Sequence, residues 1–410
     1  MTQTNPKLEL LAPAGNFEKL EIAVHYGADA VYLGGQAFSL RNFSGNFSLP
    51  EMEKALHYAH SHNVKVYVAL NVYARSDEFA EIEHYLKDLG QMGIDGLIVA
   101  DPGVVASARA LLPDVSLHLS TQANTVNERS VTFWEKQGIS RVNVARELTL
   151  PEIAAISNDT SVQIEAFVHG AMCMAYSGRC LLSSFLAKRH SNRGECTQPC
   201  RWKYALVEEK RPGQYLPINE DERGAYILNA RDLCMIEHIP AMAAAGIGTF
   251  KIEGRMKGIN YLASVVKVYR EAIDSYQNNP DGYVVQPNWM AELAKISSRG
   301  YSTGFYFDDP DQVVSNYDQE AYAPEYRLAA KIIEASNPTH ALWGVRNKIQ
   351  INDPVQILSP HGPSRTDQIK TITDNDGNPV LVAQPGSQAK VQLTHTVSPN
   401  DLIRTIQVQP

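Results

Sequence analysis

Short apolar runs alternate with longer amphipathic stretches through the first half of the chain. LELLAPAG (8–15) is followed by NFEKLEIAVHYGA (16–28), AVYLGG (30–35) by SLPEMEKALHYAHSHN (48–63), and KVYVALNV (65–72) by DEFAEIEHYLKDLGQMG (77–93). The pattern continues with GLIVAD before PGVVASARALL, SLHLSTQ before NERSVTFWEKQG, RVNVARE before TLPEIAAIS, and VQIEAFVHG (162–170) as a seventh run. Runs this short with few charges predict strands buried on both faces, while the longer segments carry helical spacing. An eighth run, GTFKIEGR (248–255), follows the helix-like EHIPAMAAAGI.

Eight such units predict an α/β fold, a (β/α)8 TIM-like barrel, although an open doubly wound sheet produces the same alternation. The ends of the runs favour the barrel. Pro13 and Gly15, Gly34 and Gly35, Asn71, Asp101, Ser120 with Gln122, Arg146 with Glu147, Glu165 with His169, and Glu253 with Arg255 stand where barrel enzymes carry their sites. Between the seventh and eighth strands the repeat breaks off for a cysteine-rich insertion, 171–234, in which YALVEE and YLPIN predict a hairpin. So long an excursion inside a compact domain is usually functional. From about residue 328 the chain turns to short β-type runs such as HALWGV, PVQILSP and AKVQLTH, separated by turns such as DNDGNP, which predict a small C-terminal β-barrel. The expected domains are a barrel over 1–305, an acidic, tyrosine-rich linker over 306–327, and the β-barrel domain over 328–410.

Composition agrees with two modules: 410 residues exceed what one core usually covers, and 44% hydrophobic with 20% charged residues sets the chain apart from disordered and membrane classes. It has no apolar run of about 18 residues to span a bilayer. Its first residues lack the basic-then-apolar profile of a signal peptide, so the expected location is cytoplasmic. Thiols stay reduced there, and the five cysteines read as ligands, redox groups or core fillers rather than disulfides. The net charge of -8 gives no global attraction to nucleic acid, so any RNA contact must come from a local patch.

Four cysteines, Cys173, Cys180, Cys196 and Cys200, fall within the insertion, and Cys234 stands apart near the eighth strand. Core cysteines have no reason to gather in a loop rich in Gly, Ser, Arg and Asn, so the clustering points to a metal site. Structural zinc takes four thiolates too, usually from CxxC pairs, whereas the gaps here are six, fifteen and three residues. An iron–sulfur cluster tolerates such spacing better. Around the cysteines runs AKRHSNRGECTQPCRWKY (187–204), where Arg193, Arg201 and Lys203 lie beside Trp202 and Tyr204. Cations with nearby aromatics suit a phosphate backbone and a splayed base, but they also suit simple charge balance around thiolates. Glu165, His169, Asp232, Glu253 and Arg255 are acid, base and clamp candidates by type, and structural ion pairs are the competing explanation for each. HExxH and GxxxxGK[ST] motifs do not occur.

The run EAFVHGAMCMAYSGRCLLSS (165–184) closely resembles the signature of the collagenase-like peptidase family of unassigned mechanism. The likeness extends to LLAPAG, NRGECTQPCRWKY, NARDLC (229–234), KIEGRMK (251–257) and SSRGYSTGFY (297–306), and so covers most of the chain. That family includes prephenate-dependent tRNA uridine hydroxylases, an rRNA cytidine hydroxylase and oxygen-independent ubiquinone hydroxylation proteins. The resemblance implies a 4Fe–4S cluster on Cys173, Cys180, Cys196 and Cys234, with Cys200 as the spare. The length and the C-terminal β domain resemble the tRNA branch, which implies 5-hydroxyuridine formation at the wobble position, tRNA as partner through its anticodon region, an electron donor of unknown identity, and prephenate as a possible co-substrate. Two other expectations stand beside this one: a peptidase, as the family is named, and a non-catalytic RNA-binding protein whose metal site is structural.

Overall fold

The computed structural model describes residues 7–36, 46–173, 175–177, 179–189, 196–201, 231–296, 300–307, 326–337 and 339–406, and the backbone of four two-residue strands between 206 and 225. Eight strands form the barrel: β1 (Glu9–Pro13), β2 (Ala30–Gly34), β3 (Lys65–Leu70), β4 (Gly96–Val99), β5 (Ser116–Leu119), β6 (Ile139–Asn143), β7 (Gln163–Ala171) and β8 (Ile247–Ile252). All neighbours are parallel, and β8 pairs with both β7 and β1, placing Lys251 opposite Phe167 on one side and Leu11 on the other. That double pairing closes the ring and excludes the open sheet.

Helices α1 (Phe17–His25), α2 (Leu49–Ser61), α3 (Phe79–Met92), α4 (Pro102–Leu111), α5 (Glu128–Lys136) and α6 (Leu150–Asn158) follow the first six strands. Several begin where the sequence supplies a cap. Asn16 accepts from the Lys19 amide, Asp101 caps α4 with Pro102 behind it, and Ser48 with Glu51 and Thr149 with Glu152 form capping boxes. Further on lie α7 (Leu182–Ala187) in the insertion, α8 (Ile239–Ala244), the 20-residue α9 (Ile259–Asn278) and α10 (Pro287–Leu293).

Outward-facing strand residues such as Leu10, Val31, Val66, Leu97 and Phe250 pack with these helices in one large core. Inside the ring, Leu11, Ala30, Tyr32, Tyr67, Ala69 and Ile98 form a small apolar cluster. The rest of the interior holds paired charges: the Tyr67 hydroxyl donates to Glu9 at 2.8 Å, Arg141 Nη1 donates to Glu9 at 2.6 Å, and Lys251 Nζ donates to Glu165 at 2.6 Å. Charges so deep are tolerated only when each has a partner.

The insertion starts where β7 outruns β6. The short strand Asp232–Cys234 pairs antiparallel with the overhang, Cys234 opposite His169 and Asp232 opposite Ala171, and Tyr301–Ser302 adds beyond it. The expected hairpin is present as Leu206–Val207 against Tyr215–Leu216.

The C-terminal domain is a seven-stranded antiparallel sheet of β9 (Tyr326–Asn337), β10 (His340–Val345), β11 (Pro354–Leu358), β12 (Arg365–Gln368), β13 (Thr371–Thr373), β14 (Gln388–Gln392) and β15 (Leu402–Ile406). Its spatial order is β12-β11-β15-β9-β10-β14-β13. The two edge strands are separated by only Ile369 and Lys370, so the sheet must curl back on itself. The link passes from one pairing to the other, the Ile369 amide donating to Asp353 beside β11 and the Lys370 amide to Gln392 on β14. Trp343, Ile357, Ile372 and Val391 fill its own core. Most of the linker expected over 306–327 lies outside the described residues.

Candidate active site

A cavity of about 260 Å³ opens at the C-terminal end of the barrel strands. One wall comes from strand ends β3 to β6: Asn71, Ile98, Ser120, Thr121, Gln122 and Asn143. The facing wall comes from the insertion, with Cys173, Cys180, Cys196 and Cys200 all on the lining. Tyr32, Phe167, Lys251, Glu253, Arg146 and Arg255 complete it.

The cations are held in place by specific contacts. Arg146 lays its guanidinium 4.1 Å over the Phe167 ring and donates to the Ala171 carbonyl at 3.3 Å. Lys251, paired with Glu165, also stands 4.7 Å over the Tyr32 ring. Arg255 donates to Asn46 at 2.7 Å, while its carbonyl accepts from Lys19 Nζ at 2.9 Å. Burial, then the neighbouring Arg255 charge, lowers the Lys19 pKa. Two glycines of the motifs are required by close approach. A side chain on Gly170, at φ +113, would meet the Glu253 carbonyl at 2.5 Å, and one on Gly254, at φ +149, would meet Tyr261 at 2.6 Å.

The sequence matches peptidase family U32 over residues 15–316 and that family's C-terminal domain over 324–404. The chain belongs to peptidase family U32. It is 39% identical to the tRNA hydroxylation protein P1 of Bacillus subtilis (strain 168) across 97% of this chain and 94% of that one. It is 34% identical to the tRNA hydroxylation protein P of Escherichia coli (strain K12), across 87% of each. The 23S rRNA 5-hydroxycytidine C2501 synthase of E. coli is 35% identical over 67% of this chain, which spans 40% of that enzyme.

In this U32 chain the five acid, base and clamp candidates do not surround one cavity. Glu253 and Arg255 line it. Glu165 sits one layer deeper on β7, 2.6 Å from Lys251 Nζ and 3.6 Å from Arg141 Nη1. His169 and Asp232 lie behind the wall. The cause is a register shift: Lys251 faces Phe167 but Ile252 faces His169, so Val168 is an extra residue and His169 turns outward with Ile252. The imidazole packs among the rings of Tyr261, Tyr269 and Tyr301 at 5.3–5.9 Å. Neither ring nitrogen has a hydrogen-bond partner among the described residues, and burial pushes its pKa down to about 4, against the opposing pull of Asp232.

The cysteines divide similarly. Four reach the cavity, whereas Cys234 is buried opposite His169, with the Tyr269 hydroxyl 3.9 Å from its sulfur and burial pushing its pKa up to about 11. Cys173, Cys180, Cys196 and Cys200 line the same cavity as Arg146, Lys251 and Arg255, and thiols with nearby cations are the donor type that an all-thiolate cluster takes. Among the described residues no three His, Cys, Asp or Glu side chains converge to hold a single ion. Arg193 and Lys203 lie outside the described residues, as does the side chain of Arg201.

Sequence reasoning left Lys251 and Asn143 out of the site. Alternation from Glu253 and from Arg141 puts both on the inner face, and that was the available signal. No helix among the described residues is long and apolar enough to cross a membrane.

Proposed function

We propose that this chain hydroxylates a uridine of tRNA in the cytoplasm, forming 5-hydroxyuridine at the wobble position. The observation that carries the reading is the cavity itself. It faces four cysteines and, at about 260 Å³, is smaller than the ~300–1,000 Å³ of drug-sized ligand sites, so it takes one ring-sized group at a time. A single base swung out of its stack meets that limit, and relatives aligned along nearly the whole chain are named tRNA hydroxylation proteins.

Replacing C5–H by C5–OH takes two electrons from the base and adds one oxygen atom, so the reaction needs a co-substrate that supplies the oxygen and an acceptor for the electrons, the second of which a redox group at the cavity wall would serve. Cys173, Cys180 and Cys196 would hold a 4Fe–4S cluster there. The family resemblance favours Cys234 as the fourth ligand although it is buried behind the wall, and Cys200, on the cavity lining, is the competing thiol. When bound, the cluster supplies electron transfer or an open iron site. Prephenate is the proposed co-substrate, and Arg193, Arg201 and Lys203 the proposed phosphate contacts. The chain's own residues bind and exclude water: Phe167 and Tyr32 give apolar lining, and Arg146, Lys251 and Arg255 supply positive charge. Proteolysis has less support, because neither ring nitrogen of the motif histidine, His169, hydrogen-bonds a thiol or hydroxyl.

Nucleoside analysis of tRNA from a strain lacking this gene tests the reading. Nucleosides derived from 5-hydroxyuridine should disappear and return on complementation. Their unchanged level in a strain without a second homologue would remove the tRNA assignment.

A further inference from the structure

Three amide side chains line the cavity, each with a polar atom that has no hydrogen-bond partner among the described residues. Among the described residues Asn71 Oδ1, Gln122 Oε1 and Asn143 Oδ1 are buried without a hydrogen-bond partner, and so is Arg146 Nε on the same lining. Asn143 is 2% exposed. Buried polar atoms are almost always paired, so a run of them along one wall marks a place where a ligand supplies the partners. The amides form a continuous arc: Asn71 Nδ2 stands 3.3 Å from Ser120 Oγ, which joins the end of β3 to that of β5, and Asn143 lies next along on β6.

An amide presents one donor and one acceptor side by side. The outer edge of uracil presents the complement, the O4 acceptor next to the N3–H donor. Phosphate and carboxylate ligands are acceptor-only when ionised and would leave the amide oxygens unpaired. A base entering with its ribose toward the mouth brings this edge in first, toward Asn143.

We propose that Asn143, on the wall that Asn71 and Gln122 extend, reads the hydrogen-bonding edge of the uracil that enters this cavity, its Oδ1 accepting from N3–H and its Nδ2 donating to O4. The proposal rests on the tRNA-uridine reading above and adds the residues that recognise the base. Asn143 is a binding residue here, acting by direct contact with O4 and N3–H.

Binding of anticodon stem-loops to the full-length protein, purified with its metal, tests this by fluorescence anisotropy. Three loops are compared, carrying uridine, 3-methyluridine or an abasic site at the wobble position. Wild type should bind the uridine loop roughly 10-fold more tightly than the other two, the order expected when a buried amide loses its partner. Asn143→Leu keeps a similar size but removes both donor and acceptor, so it should erase most of that gap while leaving abasic-loop affinity unchanged. Gln122→Met makes the same change at a second position should Asn143→Leu fail to fold. A full gap retained in the folded variants, or no gap in wild type, overturns the proposal and leaves the tRNA reading standing. Failure of wild type to bind any loop or whole tRNA overturns both.

Discussion

Lys251 Nζ donates to Oε1 of Glu165 at 2.6 Å inside the barrel, so the cation that lines the cavity is anchored by a carboxylate one layer below it. Arg141 stands 3.6 Å from the other oxygen of the same carboxylate. Glu165→Ala would leave two buried cations short of a counter-charge, and removing one partner of such a pair costs ~3–5 kcal/mol. Urea unfolding should show that loss, with a smaller one for the double change Glu165→Gln with Lys251→Met. A Glu165→Ala protein as stable as wild type would show that the charges are solvated through the cavity instead.

Protein prepared without oxygen should be brown and hold about four irons per chain. Cys173→Ala, Cys180→Ala and Cys196→Ala should each abolish this. Cys234→Ala should lose more iron than Cys200→Ala, following the family motif. The opposite order would give the fourth position to Cys200, which already faces the cavity. Stoichiometric zinc without iron, in protein never exposed to air, would refute the cluster.

Arg404 fastens the C-terminal domain to the barrel. Fully buried on β15, it donates to Glu292 at 2.6 Å, to Asn260 at 2.6 Å and to Ser264 at 2.5 Å, reaching both α9 and α10. Although burial pushes the Glu292 carboxyl up, Arg404 and Lys295 together hold its pKa below the usual value. Glu292→Ala strands the guanidinium among neutral groups, at a cost of ~3–5 kcal/mol. Calorimetry should then resolve separate barrel and β-domain transitions. A single unshifted transition would mean that apolar contacts alone couple the domains.

Two buried imidazoles make stability depend on pH. Burial first, then Arg141, Lys251 and Lys65, lowers the pKa of His118 well below its ordinary value, and burial lowers that of His169 to about 4. In the unfolded chain both take up a proton near pH ~6.5. The unfolded state therefore binds more protons as the pH falls, and each histidine should remove up to ~1.4 kcal/mol of stability per pH unit below that point. His118→Gln should reduce the slope between about pH 6 and 5 by close to one such increment. An unaltered slope would mean that His118 is protonated in the native protein.

Much of the fold is written locally. Strand and helix positions follow from the spacing of apolar residues, helix starts from Asn16, Ser48, Asp101 and Thr149, and the gathering of four cysteines is visible in the sequence itself. These features depend on neighbours a few residues apart. Closure of the ring does not: it rests on β8 pairing with β1 across more than two hundred residues, which periodicity leaves open. The same holds for the site. Alternation along VQIEAFVHG puts Glu165, Phe167 and His169 on one face, and only the extra residue at Val168, created by pairing with β8, turns His169 away. Lys251, Asn143 and Cys200 reach the cavity, and Cys234 the wall behind it, because of register and insertion packing between distant segments. A sequence names the residues able to do chemistry, but which of them share a face is decided by hydrogen-bond register between strands that meet only when the barrel closes.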